Sequence, residues 1–290
     1  MPDLSGRVIL VTGASSGIGL AASRALAGMG AELVLVGRDS ARLAAAEDEV
    51  QAAGARAPRP GPVSSVRCDF ASLAEVRALA AEVVRRWPRL HVLVNNAGGV
   101  SATREVTGDG YERTLAVNHL APYLLTRLLL DRLKESAPAR VVTVSSAGHR
   151  RGDLDFADLQ MERGYAIMRA YGRSKLANIL FTRALARRLA GTRVTAACLH
   201  PGAVATRIWA GAPAGLVSAV LAVATRFMLS PETGARTVIQ LASVPDAEVE
   251  PLSGLYLEKG RPAKPSALAR DDQLARRLWD ESARLVGVEP

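Results

Sequence analysis

The chain has 290 residues, 49% hydrophobic and 22% charged, a balance that suits a globular core and excludes a disordered or low-complexity protein. Its formal charge is +9, yet the excess is arginine in scattered pairs such as Arg85-Arg86 and Arg187-Arg188, so a solvated surface is expected rather than a nucleic-acid footprint. Only Cys68 and Cys198 are present, both in apolar strand-like runs, and no stretch reaches the ~18 apolar residues of a membrane span, so a soluble, cytoplasmic protein with reduced thiols is expected.

Arg7 to Val11 reads as the first strand and ends in Thr12-Gly13-Ala14-Ser15-Ser16-Gly17-Ile18-Gly19. Ile18, Ala22, Leu26 and Met29 then recur at helical spacing. A glycine turn between strand and helix lets the backbone approach a pyrophosphate, whose charge the free amides of the helix N-terminus would hold. A flexible Gly/Ser turn is the plainer alternative. Ala31 to Val36 reads as the second strand and runs out at Gly37-Arg38-Asp39. A ribose with free hydroxyls wants a carboxylate at this point, whereas a 2′-phosphate wants a cation. Arg38 comes first, so NADP(H) is expected over NAD(H). Asp39 is a candidate cap for the next helix, and the preference would reverse if its side chain turned inward.

That helix (Leu43, Ala46, Val50) ends at Gly54, and Pro58, Pro60 and Pro62 mark a loop. Ser64 to Cys68 is a third strand closed by Asp69. Ser72-x-x-Glu75 is a capping box for a helix running to Trp87. His91 to Val94 is the fourth strand and leads into Asn95-Asn96-Ala97-Gly98. Strands alternating with helices imply right-handed crossovers and a parallel sheet.

Asp109 to Glu135 has a helical pattern interrupted by Pro122, which lacks the N–H that would bond the Asn118 carbonyl. The proline either simply bends the helix or leaves that carbonyl free for water. Arg140 to Val144 is the fifth strand, with Ser145-Ser146 at the carboxyl edge where open parallel sheets bind ligands; a structural turn is the usual fate of such a serine. In the helical segment Tyr171 to Leu189, Tyr171 and Lys175 share one face. An ammonium beside a phenol is expected to lower its pKa from ~10 and free it for proton transfer, although the same spacing also occurs in ordinary half-buried pairs. Arg193 to Leu199 is the sixth strand, followed by His200-Pro201-Gly202. Residues 203–230, with Trp209, Leu216, Val220 and Phe227, lack a polar face and suit either core or a substrate lid. Pro231 opens another helix, Leu255 to Leu257 is a seventh strand, and Asp271 to Val286 is an amphipathic helix. No repeat or linker divides the chain, so one α/β domain over residues 1–290 is expected.

The set Thr12-Gly13-x-x-x-Gly17-x-Gly19, Asn95-Asn96-Ala97-Gly98, Asn118, Ser146, Tyr171-x-x-x-Lys175 and Pro201-Gly202 resembles the short-chain dehydrogenase/reductase pattern in order and spacing, over essentially the whole chain. Ala116-Val117-Asn118-His119-Leu120, Ala170 to Asn178, His200-Pro201-Gly202 and Arg276 to Trp279 resemble the retinol-dehydrogenase-like branch. Ser146 and Tyr171 stand about twice as far apart as in many members, so a loop around 152–163 is expected beside the site.

The resemblance implies a Rossmann-type, doubly wound, seven-stranded and mostly parallel sheet, and NADP(H)-linked exchange between an alcohol and a ketone or aldehyde, with a lipophilic substrate suggested by the apolar stretch after Gly202. Tyr171 would move the proton, Ser146 would hold the substrate oxygen, Lys175 would bind the nicotinamide ribose and tune Tyr171, and Asn118 would hold a water on the path to solvent. The nucleotide would meet Gly13, Ser15, Ser16, Gly17, Ile18, Gly19, Arg38, Asp69, Phe70, Asn96, Ala97, Gly98, Tyr171, Lys175, Pro201, Gly202 and Thr206. A homodimer or homotetramer is implied, although this branch also contains monomers. A catalytically silent NADP-binding protein on the same fold is the alternative. His119 and His149 lie close to these residues without a spacing that makes a metal site, and no G-x-S-x-G elbow surrounds Ser146.

Overall fold

The computed structural model describes residues 2–204 and 228–290. Thr206 and most of the 203–230 segment therefore lie outside the described residues; its two ends meet, because Leu229 N donates to Ala203 O at 2.8 Å.

Strand β1 (Val8–Thr12) is apolar up to its closing threonine and buried throughout, which obliges cover on both faces of the sheet. Val8 and Leu10 enter one core layer, and Ile9 and Val11 the other. Around β1 the strands are ordered β3-β2-β1-β4-β5-β6-β7-β8, with β2 Glu32–Gly37, β3 Val63–Arg67, β4 Val92–Asn95, β5 Ala139–Val144, β6 Val194–His200, β7 Tyr256–Glu258 and β8 Arg261–Pro262. Neighbours from β3 to β7 pair in parallel. Among the described residues the sheet has eight strands rather than seven. The addition is a two-residue antiparallel edge strand reached through Lys259 and Gly260, both with positive φ, and it is too short to leave a periodic signal.

Helices α1 (Gly17–Ala27) and α2 (Ser40–Gly54) cover one face together with the helix Pro231–Ser243. The other face carries α3 (Leu73–Arg86), α5 (Ala121–Glu135), α6 (Ile167–Arg188) and the closing helix Asp272–Val286. The strand order reverses between β1 and β4, opening the crevice at their carboxyl ends where such sheets take ligands.

Two helix readings need correction. The fourth helix begins with a short α4 (Arg113–Leu115), not at Asp109: the buried Glu112 carboxylate accepts from the Thr114 and Leu115 amides, both at 2.7 Å, while Asp109 accepts from Leu73 N on α3. Pro122 also does not simply kink a continuous α-helix. A π-helical turn, Ala116–Leu120, precedes it and places the proline in the first turn of α5, where an N–H is not needed.

The closing helix is fastened to α5 and α6 by an aromatic knot. Trp279 stacks on Phe181 with ring centroids 6.0 Å apart and meets Tyr123 edge-on at 5.1 Å. Arg127 and Arg188 lie over its ring at 5.0 and 4.1 Å. Buried His119 adds a contact to Ser282 Oγ at 2.9 Å, and burial pushes its pKa down to about 4, which marks a neutral structural histidine.

Candidate active site

The crevice begins at the glycine turn. Gly13 and Gly17 have φ of 66° and 56°, a region that side-chain-bearing residues rarely adopt. A Cβ on Gly19 would run into Gly13 O, so this glycine sets helix-to-turn packing and does not line the cavity. Thr12 locks the turn to its neighbour: its hydroxyl donates to Val94 O at 3.1 Å and accepts from the Asn96 and Ala97 amides at 2.9 and 3.0 Å. Asn96 Nδ2 returns a bond to Thr12 O at 2.8 Å. These bonds hold the Asn95 to Gly98 segment against the first turn.

A cavity of about 980 Å³ runs from this turn along the carboxyl ends of the strands. Its lining includes every described nucleotide-site residue named above except Gly19, and it brings Ser146, Tyr171 and Lys175 into the same space. Asn118 stands behind the wall. Its Oδ1 accepts from Gly99 N at 2.8 Å, while Nδ2 donates to Gly99 O and Ser174 Oγ at 3.0 Å, so its side chain splints the wall to α6.

At the end of β2, Asp39 turns away to cap α2, accepting from Arg42 N at 3.0 Å and pairing with the Arg42 guanidinium at 2.9 Å. Arg38 and Arg42 both line the cavity there. On the next strand end, Asp69 Oδ1 accepts from Ala71 N at 2.9 Å beside buried Phe70. The Ser72-Glu75 box forms only by half: Ser72 Oγ caps Glu75 N at 3.3 Å, while the Glu75 carboxylate goes to Asp69 N at 2.7 Å.

At the far end, Ser146 caps a 3-10 turn (Ala147–Arg151) by accepting from Gly148 N at 3.1 Å, and its hydroxyl bonds the Tyr171 phenol. Lys175 is 2% exposed, donates from Nζ to Val144 O at 3.2 Å, and stands 5.6 Å from the Tyr171 ring centroid. The expected lowering of the Tyr171 pKa is not what this geometry gives. Burial raises it, and the bond to Ser146 only opposes that rise. Burial also brings Lys175 down to about 8. Desolvation, which disfavours phenolate and ammonium alike, is the largest cause of both shifts. A neutral buried phenol bonded to a serine is poised as a proton donor.

His149 is a residue that sequence reasoning left without a role. Its Nε2 accepts from Ser266 N at 3.1 Å, so the ring proton sits on Nδ1 and is donated to Ser146 O at 2.7 Å. The imidazole thereby fixes the backbone of Ser146 without facing substrate. Val117 and His200, from segments that carry the family resemblance, also line the cavity, as do Thr114 and Met168, which carried no signal of their own. Among the described residues, no group of His, Cys, Asp and Glu could hold a metal ion, and no helix is long and apolar enough to cross a membrane.

Comparison with known proteins agrees with this geometry. Residues 7–216 match the family model for short chain dehydrogenase. Human retinol dehydrogenase 14 is 43% identical, covering 98% of this chain and 88% of the relative. The crystal structure of an uncharacterised protein from Mycobacterium paratuberculosis superposes with a TM-score of 0.78 at 32% identity, covering 100% of this chain and 96% of that one. The Pseudomonas aeruginosa RhlG/NADP active-site complex superposes with a TM-score of 0.68 at 26% identity, covering 94% and 98%. The chain belongs to the short-chain dehydrogenase/reductase family of oxidoreductases, in its retinol-dehydrogenase-like branch.

Proposed function

We propose that the protein is an NADP(H)-dependent oxidoreductase that interconverts an alcohol and an aldehyde or ketone of a lipophilic compound. The observation that carries this reading is the buried Tyr171 phenol, bonded to Ser146 and flanked by Lys175, at one end of a crevice that begins at a phosphate-type glycine turn. The residues present fit a nicotinamide nucleotide: positive-φ glycines allow close approach, the α1 N-terminus faces the turn, and two arginines meet the second strand's end. Asp39, occupied in capping, leaves that end cationic, which favours a 2′-phosphate. The RhlG relative is an NADP complex. Apolar lining from Val100, Val117, Met168, Val204 and Met228 supports a lipophilic substrate.

When bound, the nucleotide supplies or takes up the hydride. In reduction, the Tyr171 hydroxyl gives its proton to the substrate oxygen, and the Ser146 hydroxyl holds that oxygen in place. The Lys175 ammonium, beside the ring, stabilises the phenolate left behind. In oxidation the same proton returns to Tyr171. Asn118 and His149 act by holding the wall and Ser146.

The test is NADPH consumption with octanal, decanal and all-trans-retinal. Tyr171→Phe is expected to lower kcat by roughly 10²–10⁴-fold while NADPH affinity, read by fluorescence titration, stays within about twofold. Retained turnover in that variant overturns the assignment of Tyr171.

A further inference from the structure

Between Tyr171 and Lys175 the sequence places Arg173, two positions from each and therefore on the other side of the helix. Its side chain is 2% exposed. Nη1 donates to Asp158 O at 2.6 Å and Leu159 O at 2.7 Å, and Nη2 donates to Asp153 Oδ1 at 3.2 Å. Nε has no partner. These bonds all fall on the stretch 153–165, the extra loop between Ser146 and the catalytic helix. At its start, Gly152 packs so closely on Gly172 that a Cβ there would meet the helix backbone.

The other side of the same stretch grips a different part of the molecule. Gln160 Oε1 accepts from Glu112 N at 2.8 Å, Gln160 O accepts from Arg104 Nε at 3.1 Å, and Tyr165 OH donates to Ser101 O at 2.9 Å. Ser101, Glu105 and Arg113 line the cavity, and Glu112 caps the helix leading to Asn118. The loop thus joins the helix of Tyr171 to the opposing wall of the pocket, with the arginine at one end of the linkage and Gln160 at the other.

We propose that Arg173 is a positioning residue: by clamping 153–165 to the catalytic helix it fixes how far the 99–113 wall stands from Tyr171, and so sets which substrates fit. The part concerning substrates rests on the oxidoreductase reading; the clamp itself does not. A buried guanidinium suits this task because its planar fork satisfies two carbonyls and a carboxylate at once, which a lysine cannot reproduce.

Hydrogen exchange followed by mass spectrometry tests the clamp without any substrate. In Arg173→Met and in Gln160→Ala, amides of 99–112 are expected to exchange roughly tenfold faster along with those of 153–165, while residues 8–37 keep their protection. Loosening confined to 153–165, or spread equally over 8–37, overturns the proposal. With NADPH and retinal, both variants are expected to raise KM about tenfold with kcat within about threefold, and Arg173→Lys to recover only part of that loss. An unmoved KM, or full recovery by lysine, removes the specificity role. If the wild-type protein reduces no aldehyde, the exchange result alone decides the clamp. If Arg173→Met does not fold, Gln160→Ala removes the side-chain bond to Glu112 N from the same linkage at its half-buried end and carries the same expectation.

Discussion

Lys175 is 2% exposed, and its Nζ donates to Val144 O at 3.2 Å. Burial depresses its pKa from 10.5 to about 8. Each pKa unit corresponds to 1.36 kcal/mol, so holding the ammonium at pH 7 costs the nucleotide-free protein about 3 kcal/mol. Lys175→Met keeps the volume and removes the charge, at the loss of an ammonium hydrogen bond contributing about 1.5–2 kcal/mol. The variant is expected to be more stable by about 1–2 kcal/mol, or roughly 2–5 °C in Tm, while losing catalysis. The sign follows from linkage: the unfolded lysine binds its proton more tightly than the folded one, so wild-type stability rises with pH between about 8 and 10.5. The gap between variant and wild type should therefore be widest below pH about 8 and close as pH approaches 10.5. Thermal denaturation by tryptophan fluorescence across that range is the assay. A variant less stable than wild type at pH about 7, or a gap that does not narrow with pH, refutes the reasoning.

Other perturbations test separate parts of the site. Because burial holds the Tyr171 pKa above its ordinary value, reduction should be flat through neutral pH and fall above about 8, where Lys175 loses its proton. Alcohol oxidation, which needs the phenolate, should instead climb with pH; an acidic optimum for oxidation contradicts this. Arg38→Asp removes one of the two cations at the end of β2 and should shift the kcat/KM ratio from NADPH towards NADH by roughly 30–100-fold, the worth of a charge-assisted bond. An unchanged ratio would move the phosphate contact to Arg42. Gly19→Ala drives a methyl into the Gly13 carbonyl, with an expected loss of about 1–3 kcal/mol in stability and a weaker NADPH Kd; wild-type Tm and Kd would show that the turn relaxes freely.

Much of this architecture can be read along the chain. The buried β1 run and its glycine turn, the strand ends at Asp69 and Asn95, and the Tyr171-Lys175 spacing all depend on residues adjacent in sequence, and they recur in the structure at the crevice. Features that depend on distant partners were not legible. Nothing in the neighbourhood of Glu112 distinguishes a buried cap from a surface acid, and the π-turn before Pro122 bonds through Asn118 to distant partners at Gly99 and Ser174. The direction of the Tyr171 shift in the nucleotide-free site depends on burial, which residue spacing does not report. His149 and Arg173 have unremarkable contexts, and their partners at Ser266 and Asp158 are fixed only by tertiary structure.

The Trp279 knot bears on how the chain folds as it is made. Phe181 leaves the ribosome on α6, but the indole that covers it follows roughly a hundred residues later. At ordinary elongation speeds this leaves the apolar back of α6 uncovered for roughly 5–20 s. A nascent chain in that interval holds α6 against the sheet but leaves its Phe181 face open, so chaperone demand should peak late in synthesis and ease once the closing helix docks.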